Sequence, residues 1–249
     1  MSATTSSRRF WLLTCVAVVS MAVTASLGFW QLDRAQQKRD LEDRIATLGD
    51  MPALTGPELL DGSDPAAFLH RRVQFRGQWL PGTELFLDNR PMEGRTGFIL
   101  LTAMRPEGHG QAVLVQRGWV PRDFLARDRL PTVVTPGGTV DIQGRLAPPP
   151  SQLFELGPGG DGPIRQNVDL SALAQEWKVP LLGGVSVLQT DADAAGLVRQ
   201  WPRFVGGQHK HLAYAAQWFA MCALVAGLYL WFQFLLPRLK RRSHGQNPR

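Results

Sequence analysis

Two long uncharged apolar stretches, one near each end, constrain this chain more than any other feature. Residues 10–30 give 21 positions without a charged side chain, and residues 212–236 give 25. Crossing a hydrocarbon core of about 30 Å takes roughly 20 helical residues, so either stretch reaches across. A soluble amphipathic helix would carry a polar stripe at 3.6-residue spacing, yet Gln217 and Gln233 are the main interruptions in the second stretch. The first is diluted by Thr14, Ser20, Thr24 and Ser26, and its competing reading is a signal peptide cut near Val23-Thr24-Ala25. Against that, the apolar run continues through Leu27, Gly28, Phe29 and Trp30, beyond the roughly 7–15 apolar residues of a signal peptide. Trp11 and Trp30 also stand at its two ends, where interfacial indoles are expected. Two transmembrane helices are therefore predicted, over residues 10–30 and 211–236.

Charge then orients them. Of 27 Lys plus Arg, seven lie in the end segments: Arg8, Arg9, Arg238, Lys240, Arg241, Arg242 and Arg249. The rest of the chain holds 20 basic against 21 acidic residues, net −1. A neutral body with basic tips does not resemble a nucleic-acid surface, which clusters cations on a folded face. The positive-inside rule keeps residues 1–9 and 237–249 cytoplasmic, which sends residues 31–210 to the opposite side. The simplest compartment is a bacterial inner membrane with a periplasmic domain. Hydrophobic content of 44% is too high for disorder. Two distant cysteines, Cys15 and Cys222, exclude a disulfide scaffold and the usual zinc spacings.

Between the spans, residues 31–45 lack Gly and Pro and are expected to extend the first helix outward as a polar one. Residues 51–65 carry Pro52, Gly56, Pro57, Gly62 and Pro65 and read as a loop. Alternation over 73–79, short apolar runs at 85–87, 98–101, 112–115 and 185–188, and further alternation over 140–144 indicate strands. Asp88-Asn89-Arg90-Pro91 reads as a turn, and so does the segment around Gly108. Residues 169–177 form the one clear helix, capped by Asp169. The expected fold is a β-rich (α+β) antiparallel barrel- or sandwich-like domain flanked by two transmembrane helices.

Few residues offer catalysis. No G-x-S-x-G, H-E-x-x-H or Walker-type motif occurs. His70 and His109 read as solvated loop residues, and Asp88 as a turn residue paired with an arginine. His209 and His211 stand at the outer mouth of the second span. On a helix, His211 shares a face with Tyr214, Ala215 and Trp218. Imidazole ligates haem iron and flat apolar side chains suit the macrocycle; the alternative is an interfacial histidine with an anchoring aromatic belt.

Ordered pieces of the chain resemble the surfeit locus protein one family, the Shy-type proteins that assist cytochrome c oxidase assembly. They are Gly28-Phe29-Trp30-Gln31-Leu32-Asp33-Arg34 with Lys38; Arg72-Val73 with Gly77 and Trp79; and Asp88-Asn89-Arg90 with Gly94 and Gly97. Gln116-Arg117-Gly118-Trp119-Val120-Pro121 is similar to the family's central RGW segment, with Gln116 in place of Asn. His211-Leu212-Ala213-Tyr214-Ala215-Ala216-Gln217-Trp218-Phe219 matches the start of its second span. The set runs from about residue 28 to 219. Gln208-His209-Lys210 departs from the family's Asn-rich sequence, and residues 148–163 match nothing in it.

The resemblance implies an assembly factor and not an enzyme. It implies binding of haem a, held stably or in passing, with His211 as ligand to the haem iron and Tyr214, Trp218 and His209 as neighbours. Oxidase subunit I, a haem a synthase and the lipid bilayer are the implied partners; association into a homo-oligomer is left open. Arg90 and Arg117 either fix the barrel mouth or pair with haem propionates, which the planar guanidinium fork suits. Two rivals remain at this point: a structural chaperone that stabilises subunit I without touching haem, and an envelope hydrolase. The orientation is checked by fusing alkaline phosphatase after residue 120 and at the C-terminus. The first fusion is expected to be active and the second silent; the reverse would overturn the charge argument.

Overall fold

The computed structural model describes residues 2–61, 64–123, 130–154, 162–192, 196–201 and 208–239. The tail cations Lys240, Arg241, Arg242 and Arg249 lie outside the described residues, as do Gly206-Gly207 and residues 155–161 of the unmatched loop. The chain divides into two compact units, residues 1–43 with 204–249, and residues 44–203.

The first unit is helical. Helix α1 (Ser2–Asp50) runs without interruption through the apolar stretch and the polar extension beyond it. Its partner α4 (Gln208–Leu230) continues through a π-helical turn at Trp231–Leu235. Both are long and apolar enough to cross a membrane. The pair is antiparallel: Thr14 Oγ1 meets the Tyr229 hydroxyl at 2.9 Å, Cys222 Sγ meets the Met21 carbonyl at 3.6 Å, and His211 Nδ1 meets Gln31 Oε1 at 2.7 Å. With Ser20, Ala25 and Leu27 half-buried beside it, one line along α1 holds the buried or half-buried Thr14, Ala17, Met21, Thr24, Gly28, Gln31 and Ala35. They alternate steps of three and four residues, the 3.5-residue seam of two helices wound about each other. Small residues stand at 17, 24, 28 and 35, the residue type favoured where helices pack against each other in lipid. Thr24 Oγ1 donates to the Ser20 carbonyl at 2.8 Å, so the hydroxyl is satisfied within its own helix.

The second unit is a barrel. Strands β1 (Arg72–Trp79), β5 (Thr139–Ala147), β7 (Ser186–Gln189), β4 (Val113–Pro121) and β3 (Arg95–Pro106) are neighbours in that order, and β3 pairs back onto β1. Closure removes the free edges that an open sheet would leave, and it settles the barrel-or-sandwich alternative in favour of a barrel. Strand β2 (Leu85–Met92) pairs with β3 outside the closed set, and β6 (Ile164–Arg165) pairs in parallel with β2. Strand β1 alternates without a break, its even-facing Gln and Arg exposed and Val73, Phe75, Gly77 and Trp79 buried. Val73, Phe75 and Trp79 join Met104, Val113, Ile142, Leu146 and Val187 in the largest core cluster. Short helix α3 (Leu170–Trp177) lays Leu170 and Leu173 on Leu85, Leu87, Leu101 and Leu114. Asp169 caps it by accepting from the Ala172 amide at 2.9 Å.

Three local expectations change. The segment 88–91 is not a turn: it continues β2, with a register shift between Leu87 and Arg90 and Asn89 at φ 59°. A bulge inserts the extra residue and bends the strand, while the reversal falls at Glu93-Gly94, both at positive φ, as a tight hairpin turn demands. The Pro- and Gly-rich stretch 51–65 contains α2 (Gly56–Leu60), because Pro57 suits a first turn and Glu58 Oε2 accepts from the Thr55 amide at 2.8 Å. His109 is not solvated: its side chain is mostly covered and sits 3.8 Å from Asp61.

Barrel closure rests on Gly77, opposite Pro106 in the β1–β3 pairing. A Cβ there would stand 2.6 Å from the Arg105 carbonyl oxygen, a backbone atom that cannot swing aside. Gly77→Ala is expected to cost about 1–3 kcal/mol, lowering the melting temperature by roughly 3–10 °C in this size range. Thermal unfolding of the purified chain measures it, and an unchanged midpoint would mean the closure is loose.

Candidate functional site

In the helical unit, the contacts around His211 follow from side-chain size. Phe219 fills the space above Gly28, where a Cβ would lie 2.7 Å from its ring, and Phe29 meets the same ring edge-on at 5.2 Å between centroids. One turn further along α1, Gln31 reaches His211; a turn beyond that, Ala35 is 2% exposed. The polar continuation of the seam is tied by Gln208, whose amide accepts from Arg39 Nε at 2.9 Å and donates to Glu42 Oε2 at 3.1 Å. His211 is thus held at a junction between the apolar seam and its polar end.

The Gln31 bond has a chemical consequence. Its oxygen can only accept, so the contact calls for a proton on Nδ1 of His211 and leaves Nε2 as the ring nitrogen that Gln31 does not engage. Metal-ligating histidines are held in this way, with the second ring nitrogen donating to a fixed acceptor. The donor chemistry therefore fits an axial ligand. The remaining expected residues divide around the helix. Ala215 is buried in the seam at 2% exposure, Trp218 is half-buried, and Tyr214 faces outward at 54%. His209 is exposed, two residues from His211 and so roughly 200° around the helix from it. His211, Ala215 and Trp218 share the seam side of α4; Tyr214 and His209 do not.

Arg90 and Arg117 belong to the barrel unit. Arg90 is 6% exposed; its Nη1 donates to the Ser151 carbonyl at 2.8 Å and its Nη2 to the Gln166 carbonyl at 2.7 Å. Burial pulls its guanidinium below its ordinary pKa. The Arg90 carbonyl in turn accepts from Trp119 Nε1 at 2.8 Å. Arg117, 3% exposed, lies 4.6 Å above the Trp79 ring and donates to Thr135 Oγ1 at 2.7 Å and the Val134 carbonyl at 3.1 Å. Trp79 and Trp119 are thus each tied to one of the two arginines. Asp88 does pair with an arginine, Arg122, at 3.0 Å.

Sequence reasoning missed two groups here. Gln31 carried no assigned role, although it stands in the quoted motif at the exit of the first stretch. Beside Trp79 and Arg117, a cavity of about 140 Å³ is also lined by Gln189, Asp191 and Arg199. Arg199 Nε donates to the Arg117 carbonyl at 2.8 Å, and Gln189 Nε2 donates to Asp191 Oδ2 at 3.0 Å. These residues are far from any recognisable motif, and only the barrel gathers them.

Arg117→Met keeps the volume and leaves the Val134 and Thr135 acceptors without their partner. It is expected to destabilise the barrel by about 1–3 kcal/mol; denaturant unfolding followed by tryptophan fluorescence reads the change. A loss well below that would deny Arg117 a bracing role.

Comparison with known proteins agrees with this arrangement of parts. The sequence model of the SURF1 family matches residues 18–223, a span that holds Gln31, His211 and every strand of the barrel. Surfeit locus protein 1 of Takifugu rubripes is 26% identical over 247 residues, covering 88% of this chain and 95% of its own. A SURF1-like protein of Rickettsia felis is 25% identical over 225 residues, 86% of this chain and 94% of its own. The cytochrome oxidase assembly protein SHY1 of Saccharomyces cerevisiae is 28% identical over 102 residues, 41% of this chain and 26% of its own. The chain belongs to the SURF1 family.

Proposed function

We propose that this chain is a membrane-anchored assembly factor for cytochrome oxidase that takes up haem a and presents it to oxidase subunit I. The oxidase part of this reading is supported by family membership and by the yeast relative, a cytochrome oxidase assembly protein. Its haem part is carried by one observation: the 2.7 Å bond from His211 Nδ1 to Gln31 Oε1, which leaves Nε2 as a ligand nitrogen. Helices α1 and α4 cross a bacterial inner membrane, with residues 1–9 and 237–249 cytoplasmic and the barrel periplasmic. His211 then stands at the outer interface, one residue before the apolar run beginning at Leu212.

Haem is the cargo in this account, and its iron supplies a coordination position that an imidazole nitrogen can fill. His211 contributes the lone pair of Nε2, held in a fixed direction by the bond at Nδ1. Trp218, two turns into the membrane on the same side, and Tyr214, exposed one turn away, offer flat apolar surface. Delivery needs a ligand that lets go, and a single half-exposed histidine binds more weakly than a closed pair of axial ligands. His209, around the helix, is free to meet the donor of haem, a haem a synthase, or lipid headgroups. Arg90 and Arg117 brace the barrel through main-chain acceptors in this reading. The chain acts by holding and transferring, without catalysing a reaction.

A second reading keeps the bond and drops the haem. His211 and Gln31 join α1 to α4 whatever else they do, so the pair also suits a structural chaperone that steadies subunit I. The chain purified from cells making haem a separates the two through its reduced pyridine spectrum. The wild type is expected to carry haem a, and folded His211→Ala to lose most of it. Equal haem in both would overturn ligation by His211, and a wild type that carries no haem would favour the structural chaperone.

A further inference from the structure

Gln31 stands across the seam from His211 at a place where α1 has little freedom. Three residues before it, Gly28 is pinned beneath the Phe219 ring; four residues after it, Ala35 is buried. Gln31 is therefore not a long side chain that happens to touch an imidazole. Packed positions lie one turn to either side of it, and its carboxamide meets Nδ1 at 2.7 Å.

The kind of acceptor also matters. A carboxylate in that position would make the imidazole a more basic ligand. A carboxamide oxygen carries no charge. It accepts a hydrogen bond from Nδ1 and leaves Nε2 unengaged. The two ring nitrogens lie on opposite edges of the imidazole, so Nε2 points away from Gln31. The bond thus fixes three things together: the tautomer, the ring plane and the direction in which the ligand lone pair is offered.

We propose that Gln31 is the positioning residue of the His211 site, holding the Nδ1 proton so that Nε2 is the nitrogen presented to haem iron. This rests on the haem reading of His211 and adds to it a role for the first helix. The motif at the exit of α1 and the motif at the start of α4 then form one site, with the orienting group on one helix and the ligand on the other.

The test uses the full chain in lipid nanodiscs, with ¹⁵N-labelled histidine and no haem, followed by haem titration. In the haem-free wild type the ¹⁵N shifts of His211 are expected to report a proton on Nδ1. Gln31→Leu is expected to move that proton to Nε2 and to weaken haem binding about 10- to 100-fold, the usual cost of losing an orienting partner. Gln31→Glu restores an acceptor; once haem is bound, the more basic imidazole should lower the reduction potential of the iron. A bond that merely staples the helices would not move that potential.

Wild-type haem affinity in Gln31→Leu, with binding abolished in His211→Ala, would overturn the role of Gln31 and leave the haem reading standing. Haem retained in His211→Ala would overturn the haem reading itself. In that event the haem-free shifts decide alone: an Nδ1 proton lost in Gln31→Leu supports tautomer control by Gln31, and unchanged shifts refute it. If Gln31→Leu does not fold, Gln31→Glu carries the test, and a potential equal to the wild type's would overturn the proposal.

Discussion

The packing of Phe219 of α4 over Gly28 of α1 is the constraint from which the candidate site follows. The Phe219 ring lies where a side chain at Gly28 would begin, and that contact sets the register of the two helices there. That register delivers Gln31 to His211, and further out it delivers Arg39 and Glu42 to Gln208. In the bilayer setting proposed for the pair there would be no hydrophobic drive between helices, so shape and polar contacts would decide how they pair. A seam of small residues with a few satisfied hydroxyls and amides is the solution this chain uses.

The barrel solves a different problem with different chemistry. Arg90 and Arg117 donate to main-chain carbonyls and to serine and threonine hydroxyls, and Arg117 lies over Trp79. A buried charge needs such partners, and through its terminal nitrogens each arginine ties a non-strand segment to a tryptophan of the sheet. The central Arg117-Gly118-Trp119 run is accordingly a bracing device whose two side chains serve different neighbours, Trp79 for the arginine and the Arg90 carbonyl for the indole.

Most of the architecture was legible because its signals are local. Apolar length marked the helices, period-two alternation marked β1 and β5, and Asp169 marked the start of α3. The bulge at Asn89 was not legible: Asp-Asn-Arg-Pro has turn composition, and only pairing with β3 keeps it in the strand. Helix α2 hid behind prolines that are helix breakers inside a helix and helix starters at its first turn. The first apolar stretch is instructive because its helix was predicted while the use of its polar residues was not. Thr14, Ser20 and Thr24 weakened its reading as a membrane span, yet Thr14 and Thr24 lie on the seam, where polar or small residues are what a helix partner needs. Helical spacing placed Tyr214 beside His211, but spacing alone does not reveal which side of α4 meets α1. Gln31 stayed unassigned for the same reason: its partner is 180 residues away in sequence.

The central claim is that the imidazole of His211 supplies the ligand to haem, and chemical rescue measures that most directly. His211→Gly, made in the full chain and titrated with haem, should fail to bind until free imidazole is added, and should then regain the wild-type spectrum. Full haem binding by His211→Gly with no imidazole present would contradict the account.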